Sequence, residues 1–370
     1  MEGLSPNAGA QKFPCAQCGA PEMHFDPAAQ QLRCQYCGHA APLPQHSAEQ
    51  LQQAVVEQDL ETGIAQAARG LGVETRSVTC KTCGATVSFT GQDTSKSCDF
   101  CGSPHVLEQA SNRSLIRPTS LVPFQLESSA AQEKFKGWLA GLWFRPGDLK
   151  ARAAVGQING VYVPYWTFDA WVRSTWTAES GTHYYVDEAY TDANGKKATR
   201  KVQKTSWTPA NGQRQDHFDD VLVPASRGLP EGIAEEMKTF DTKRLVPYDA
   251  SYLAGWRAEE YGVEIAPAWD RAAQIMASEQ QSRCGRDVPG DTHRNLHVNN
   301  AYGQKTFKHV LLPLFIASYM YNQKTYRFLV NGQTGEVRGE APYSVVKIVL
   351  FVLMIVAIVA AIVGGLMLLR

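Results

Sequence analysis

Eight of the nine cysteines in this 370-residue chain fall into four Cys-x-x-Cys pairs within the first 101 residues. Cys15 and Cys18 are followed, after fifteen residues, by Cys34 and Cys37; Cys80 and Cys83 are followed, after fourteen, by Cys98 and Cys101. Two intervening residues let both thiolates of a pair reach one metal ion from a single turn. Gly19, Gly38, Gly84 and Gly102 each follow a pair, where the backbone must turn sharply with its amides facing the sulfurs. Each set supplies four thiolates and leaves no coordination position open to water, so the expected ion is a structural zinc, not a catalytic one. Iron held by four thiolates uses the same donors and stays open as an alternative, whereas the doubled spacing speaks against disulfides or free thiols. A unit of ~30 residues buries too little surface to fold alone, so metal binding, at ~10–16 kcal/mol, has to supply the folding free energy.

Such ribbons often bind nucleic acid, but the local charges point elsewhere. Lys12 and Arg33 face Glu22 and Asp26 around the first set; Lys81 and Lys96 face Asp93, Asp99 and Glu108 around the second. Four thiolates on one zinc add a formal charge of about −2, which makes both ribbons net acidic. Without clustered Lys and Arg there are no counterions to release from a phosphate backbone. Protein docking fits better, ahead of a pure scaffold role and of nucleic-acid binding; the last rests on the ribbon type and on a basic cluster, Lys196, Lys197, Arg200, Lys201 and Lys204, in a stretch read as a mobile loop or solvated hairpin. The chain as a whole balances 36 basic against 36 acidic residues, so no global field selects a polyanionic partner.

A second group that could do chemistry is Cys284, Asp287, Asp291, His293 and His297. These residues crowd one polar stretch, 283–297, with Pro289 and Gly290, which reads as a loop and not as a triad assembled from distant segments. There is no phosphate-binding loop with its lysine, no paired histidines at helical spacing and no nucleophile elbow. The expected protein is not an enzyme.

The elements that must carry these residues form five units. Zinc ribbon 1 occupies 1–43 and a Gln-rich linker helix, from Ser47 to about Gly70, lies within 44–76. Zinc ribbon 2 occupies 77–110, an aromatic-rich domain 111–342, and an apolar helix 345–369. In the large domain, periodicity predicts helices near 129–143, 231–240, 250–261 and 266–281, the last burying Trp269, Ala272, Ala273 and Met276. An apolar pair followed by proline recurs at Pro123, Pro164, Pro224, Pro247 and Pro313. Proline cannot donate to a ladder, so these strands should lie at an edge or bend there. The run after Pro313 predicts a meander with turns at Asn322-Gln323 and Asn331-Gly332. The fold class is therefore α+β with mostly antiparallel sheet, and the eight tryptophans, all between Trp138 and Trp269, belong in its core.

Ile348 to Leu369 contains neither charge nor proline. At 1.5 Å per residue it spans ~33 Å, enough for a hydrocarbon layer of ~30 Å. Lys347 and Arg370 flank it, and Ala357, Ala361 and Gly365 form a small-residue stripe that can pack a second helix. The first residues show no export signal and the thiolates need a reducing compartment. The expectation is a single-pass, tail-anchored protein of the inner (cytoplasmic) membrane with its N-terminus in the cytoplasm.

Several blocks, "VYVPYWTFDAW", "LVPYDASYLAGWRAEEY", "TFKHVLLPLFIASYMY" and "VNGQTGEVRGEAPYSVVKI", lie between the ribbons and the apolar helix. With them, nearly the whole chain resembles a family of bacterial TFIIB-type zinc-ribbon membrane proteins, whose automated names often invoke primosomal protein N′ or helicases. No helicase motor motif is present, so that name does not transfer. The resemblance implies partners among PspA-type and SPFH-type membrane-stress proteins, recruited to the bilayer by an adaptor.

Overall fold

The computed structural model describes residues 13–43, 45, 47, 49, 51–52, 56–63, 76–89, 98–101, 103, 106–110, 115–149, 154–155, 158–191, 195–237 and 239–368. The first cysteine unit contains β1 (His24–Asp26), β2 (Gln31–Arg33) and β3 (Ala40–Ala41), a small antiparallel sheet of its own. Next come β4 (Gln58–Asp59) and the second unit's β5 (Arg76–Cys80), β6 (Thr86–Phe89) and β7 (Val106–Ala110). β8 (Ser120–Leu121), helix α1 (Ser128–Ala140) and β9 (Ala154–Val155) precede two very long strands, β10 (Asn159–Thr191) and β11 (Lys197–Pro224). Helix α2 (Glu231–Glu236), β12 (Val246–Pro247), β13 (Arg257–Glu260) and helix α3 (Ile265–Asp287) follow. β14 (Thr292–Tyr321), β15 (Lys324–Asn331), β16 (Val337–Gly339) and helix α4 (Val345–Leu368) come last. The fold is mixed α and β, with β4 to β16 joined in one thirteen-stranded sheet.

The centre of that sheet is β10, flanked by β11 and β14, both antiparallel to it. Its side chains alternate between two buried faces, as the strand period of two requires. Val161, Val163 and Tyr165 pack with Leu229, Ile233 and Phe240; Trp166, Phe168, Ala170 and Val172 pack beneath α3. Helix α3 buries Ile265, Ala268, Ala272, Met276, Gln280 and Cys284, a stripe rich in small residues that brings its axis close to the sheet. Trp269 and Ala273, expected on that stripe, sit at its half-exposed shoulder. Where α3 ends the sheet loses its cover. β14 last pairs with β10 at Gly181↔Thr292, and beyond it β10 and β11 continue as a solvated two-stranded ribbon carrying the basic cluster.

The recurring prolines mark where strands change neighbours. Pro123 follows β8, while Pro224 and Pro247 end their strands. Pro164 and Pro313 lie inside central strands, yet each falls in a gap. β10 pairs with β13 up to Tyr162 and with β11 from Tyr165 onward. β14 pairs with β8 up to Leu311 and with β15 from Leu314 onward. The missing N–H is thus placed where the outer edge has no ladder partner to serve. In the meander, Asn322 and Gln323 both take positive φ (48° and 62°), the hairpin geometry expected of that turn.

Four local expectations are corrected. Residues 250–261 form a short 3-10 turn and then β13, not a helix, because Gly255 takes φ +72° and its Cα lies against the His24 ring. The polar stretch 283–297 is not a loop: Arg283–Asp287 is the last turn of α3 and Thr292–His297 opens β14. Within the linker, Gln58–Asp59 pairs with Thr306–Phe307 as a strand, and the rest of the expected helix lies mostly outside the described residues. Among the tryptophans, Trp166 is buried but Trp143 is 76% exposed, on the loop after α1.

β13 brings two adjacent carboxyls, Glu259 and Glu260, into the sheet. Burial pushes Glu259 up to about 8, opposed by a hydrogen bond from Ser226 Oγ at 2.7 Å. The folded state therefore holds that proton more tightly than the unfolded chain, whose ordinary value is 4.5. The contribution is complete below the ordinary value and is lost as pH rises through about 8. Glu259→Gln should flatten the fall in stability across this window; denaturant midpoints of both proteins from about pH 5 to 8 measure it.

Candidate metal centres and their setting

Three of the four knuckles share one local hydrogen bond among the described residues. In the first unit Gly19 N donates to Cys15 O (2.9 Å) and Gly38 N to Cys34 O (3.0 Å). In the second, Gly84 N donates to Cys80 O (2.9 Å). These three glycines have φ of +73°, +74° and +78°, which only glycine adopts without strain. Gly102 lies outside the described residues. Thr82 N and Phe100 N point at Cys80 Sγ and Cys98 Sγ, both at 3.4 Å, and stabilise negative sulfur.

The eight sulfurs converge as two groups, Cys15/Cys18/Cys34/Cys37 and Cys80/Cys83/Cys98/Cys101, each able to hold a metal ion. The Cys15–Cys37 and Cys18–Cys34 separations are 3.6 Å; Cys80–Cys101 is 3.7 Å and Cys83–Cys98 3.6 Å. Sulfurs ~2.3 Å from a tetrahedral centre lie ~3.8 Å apart, so the thiolates fit one metal ion per group. Four donors in each group close the coordination sphere, which assigns both sites a structural role when loaded.

The two units attach to the large domain differently. Phe25 of the first unit is buried against Tyr252, ring centroids 5.3 Å apart, and its N–H donates to Ala254 O (2.9 Å). Trp256 Nε1 donates to Phe25 O (3.0 Å) and Gln30 Nε2 to Phe124 O (2.8 Å). Phe25 and Leu32 thus join the domain core together with Cys15 and Cys34. The outer face stays open: Cys18 and Cys37 are exposed and Tyr36, between the second pair, is 80% exposed.

The second unit is knit into the sheet. β6 pairs with β13, Ser77 Oγ and Ser88 Oγ donate to Glu260 Oε1 (2.6 and 2.7 Å), and Asp99 pairs with Arg257. Asn159 Nδ2 at the start of β10 also donates to Asp99 Oδ1 (2.7 Å). Burial pushes the Asp99 carboxyl up, and Arg257 opposes this. These polar contacts were not legible as a pattern, because their partners lie 60 to 183 residues apart.

At the other end, α4 is long and apolar enough to cross a membrane, with mean hydropathy 3.2 over Val345–Gly364 and none of that window buried. Its root is clamped. Ser344 N donates to Phe144 O (2.8 Å), Arg145 to Ala341 O (2.5 Å) and Lys347 Nζ to Trp143 O (3.3 Å). The Phe144 ring meets Phe351 edge-on at 5.2 Å, and Arg145 lies 3.8 Å over Tyr343.

The 283–297 residues have different partners, although the His293 ring lies beside Gly285. Cys284 is buried with Trp176 and Val288, Asp287 pairs with Arg214, and Asp291 accepts from His183 N.

Over 238 residues the chain is 25% identical to the uncharacterized protein YdjG of Bacillus subtilis (strain 168), covering 62% of this chain and 65% of that protein's length. No family model and no solved structure matches.

Cys15→Ser and Cys98→Ser should each halve the bound metal measured by elemental analysis of the purified full chain. Cys98→Ser should also lower the global unfolding midpoint, because its unit shares the main sheet, whereas Cys15→Ser should mainly raise the protease sensitivity of residues 13–43.

Proposed function

We propose that this chain is a non-enzymatic, single-pass membrane adaptor whose two metal units are zinc ribbons that dock a cytoplasmic protein. The observation that carries the reading is the apolar helix α4, exposed from Val345 to Val363 and rooted in the same chain that holds two closed four-thiolate groups. An exposed apolar helix of this length is costly in water and stable in hydrocarbon. Around its root, exposed Trp143 and Tyr343 with Arg145 and Lys347 form the aromatic and basic belt that suits a headgroup region.

The ribbons supply the docking face. Four thiolates suit redox-inactive zinc, and thiolates persist in a reducing compartment, which orients the domain toward the cytoplasm. The exposed knuckle around Tyr36 offers a rigid aromatic anchor of the kind that dominates protein interfaces. The resemblance of the sequence blocks suggests a partner of the PspA or SPFH class.

The full chain in membranes should resist carbonate extraction, and a chain lacking 345–370 should not. A photo-crosslinker at Tyr36 should capture a PspA-like or SPFH-like protein, and Tyr36→Ala should reduce co-purification of that protein at least ~10-fold with metal content unchanged. Equal recovery with Tyr36→Ala, or extraction of the full chain by carbonate, would overturn the proposal.

A further inference from the structure

β11 has one partnered edge and one open one. Its stretch Val221–Pro224 faces Tyr165–Phe168 of β10 on one side, Asp219 and Asp220 bulge out of the ladder, and no strand pairs with the other side among the described residues. A strand edge presents backbone groups at every second residue, here over ~13 Å, with Asp220 N already given to Asp169 Oδ1 and Pro224 offering only its carbonyl. That edge is only partly covered, with Asp219 exposed and Val221 and Leu222 half-buried. It lies in a cavity of about 740 Å³ between the α2 segment and α3. Leu229 and Met237 form one wall, Pro267, Ala268 and Ile275 the other, and Val221 to Val223 the floor. Tyr165 also lines it; its side chain is 1% exposed and its hydroxyl has no hydrogen-bond partner.

One end of the cavity is acidic. Asp219 lies within 4.8 Å of Glu57 and Asp169 by their carboxylate oxygens. Asp169 sits at the β-bulge of β10, is 2% exposed, and its Oδ1 accepts from Asp220 N at 2.7 Å; burial and the neighbouring Glu57 push it up to about 8, so it shares a proton with Glu57 and the exposed Asp219 carries the charge at this end. Lys308 Nζ partly offsets this charge through Asp220 (2.8 Å) and Glu57 (3.3 Å). Among the lining residues Asp220 is paired with Lys308 and Glu279 with Arg283 (2.8 Å), so Asp219 is the carboxylate that this end offers to a cation.

We propose that this groove binds an extended peptide segment of a partner protein, added as a strand to the open edge of β11. Apolar side chains at alternate positions enter the cavity, and a lysine or arginine at one end reaches Asp219. An apolar small molecule would use the walls but neither the backbone edge nor the acidic end. This site is separate from the Tyr36 knuckle, and its test does not depend on the metal units docking anything.

The test uses the zinc-loaded full chain in detergent micelles and dye-labelled hexapeptides alternating valine and threonine. Lysine or glutamate is placed at either terminus, and a further set is N-methylated at alternate residues. Fluorescence anisotropy should show lysine-terminated peptides binding at least ~10-fold tighter than glutamate-terminated ones, with N-methylation removing binding. Asp219→Asn should erase the lysine preference. Gln274→Trp or Ser278→Trp, on exposed positions of the α3 rim, should each weaken binding at least ~10-fold with metal content and thermal midpoint unchanged. No saturable binding up to about 1 mM, equal binding of N-methylated peptides, no lysine preference, or indifference to both rim variants would each overturn the proposal.

Discussion

The ladder between β10 and β14 is the interaction on which the other parts depend. It runs from Asn159↔Ile316 to Gly181↔Thr292, and most other elements reach the core by pairing with one of these two strands or by packing on their faces. β8, β9, β4 and β15 pair with β14; β11 and β13 pair with β10. Helix α3 covers one face, and the α2 segment with Phe240 covers part of the other. Because a one-residue slip would turn every buried side chain to the exposed face, the alternation of exposed and buried residues from Trp171 to Ala178 of β10 pins the register of the ladder.

That sheet also explains why the two metal units are not equivalent. The first brings its own three-stranded sheet and inserts one aromatic ring, Phe25, into the core. The second shares backbone ladders with β13 and buries carboxyls at the seam. Glu260 is satisfied by two serine hydroxyls and Asp99 by Arg257 and Asn159. A buried carboxylate is tolerable only with such donors, so the seam is specific as well as adhesive. Glu259, with one oxygen lacking a partner, meets the same constraint by keeping its proton.

Much of this was readable because it depends on local chemistry. The cysteine spacing, the glycines that follow it, the apolar run of α4 and the turn at Asn322-Gln323 are each decided within a few residues. The failures share a different cause. Residues 250–261 have helical periodicity, but Gly255 must yield to His24 of a unit more than two hundred residues earlier. The 283–297 stretch looks like a loop by composition, yet β10 offers it a ladder and α3 a last turn. Gln58–Asp59 is recruited by β14 in the same way. Trp143 and Trp171 resemble the other tryptophans in sequence, yet the fold leaves them 76% and 41% exposed. The groove beside β11 could not be read at all, since an open edge is defined by what fails to pair with it.

The wide sequence separation of the central partners has a consequence for the order of synthesis. β10 is made well before β14, and β6 has no β13 to pair with until residue 260 has been added. Each cysteine group, by contrast, closes within about twenty-five residues and needs only its ion. A growing chain can therefore complete its metal units while the sheet still lacks its central ladder, whose long-range closure is intrinsically slow. The β10–β11 hairpin, local in sequence, can form next and wait with one edge open. The ribbons then act as templates that are already rigid when β13 arrives. Metal supply during translation, and not only in the finished protein, would decide whether the sheet assembles on its proper edge.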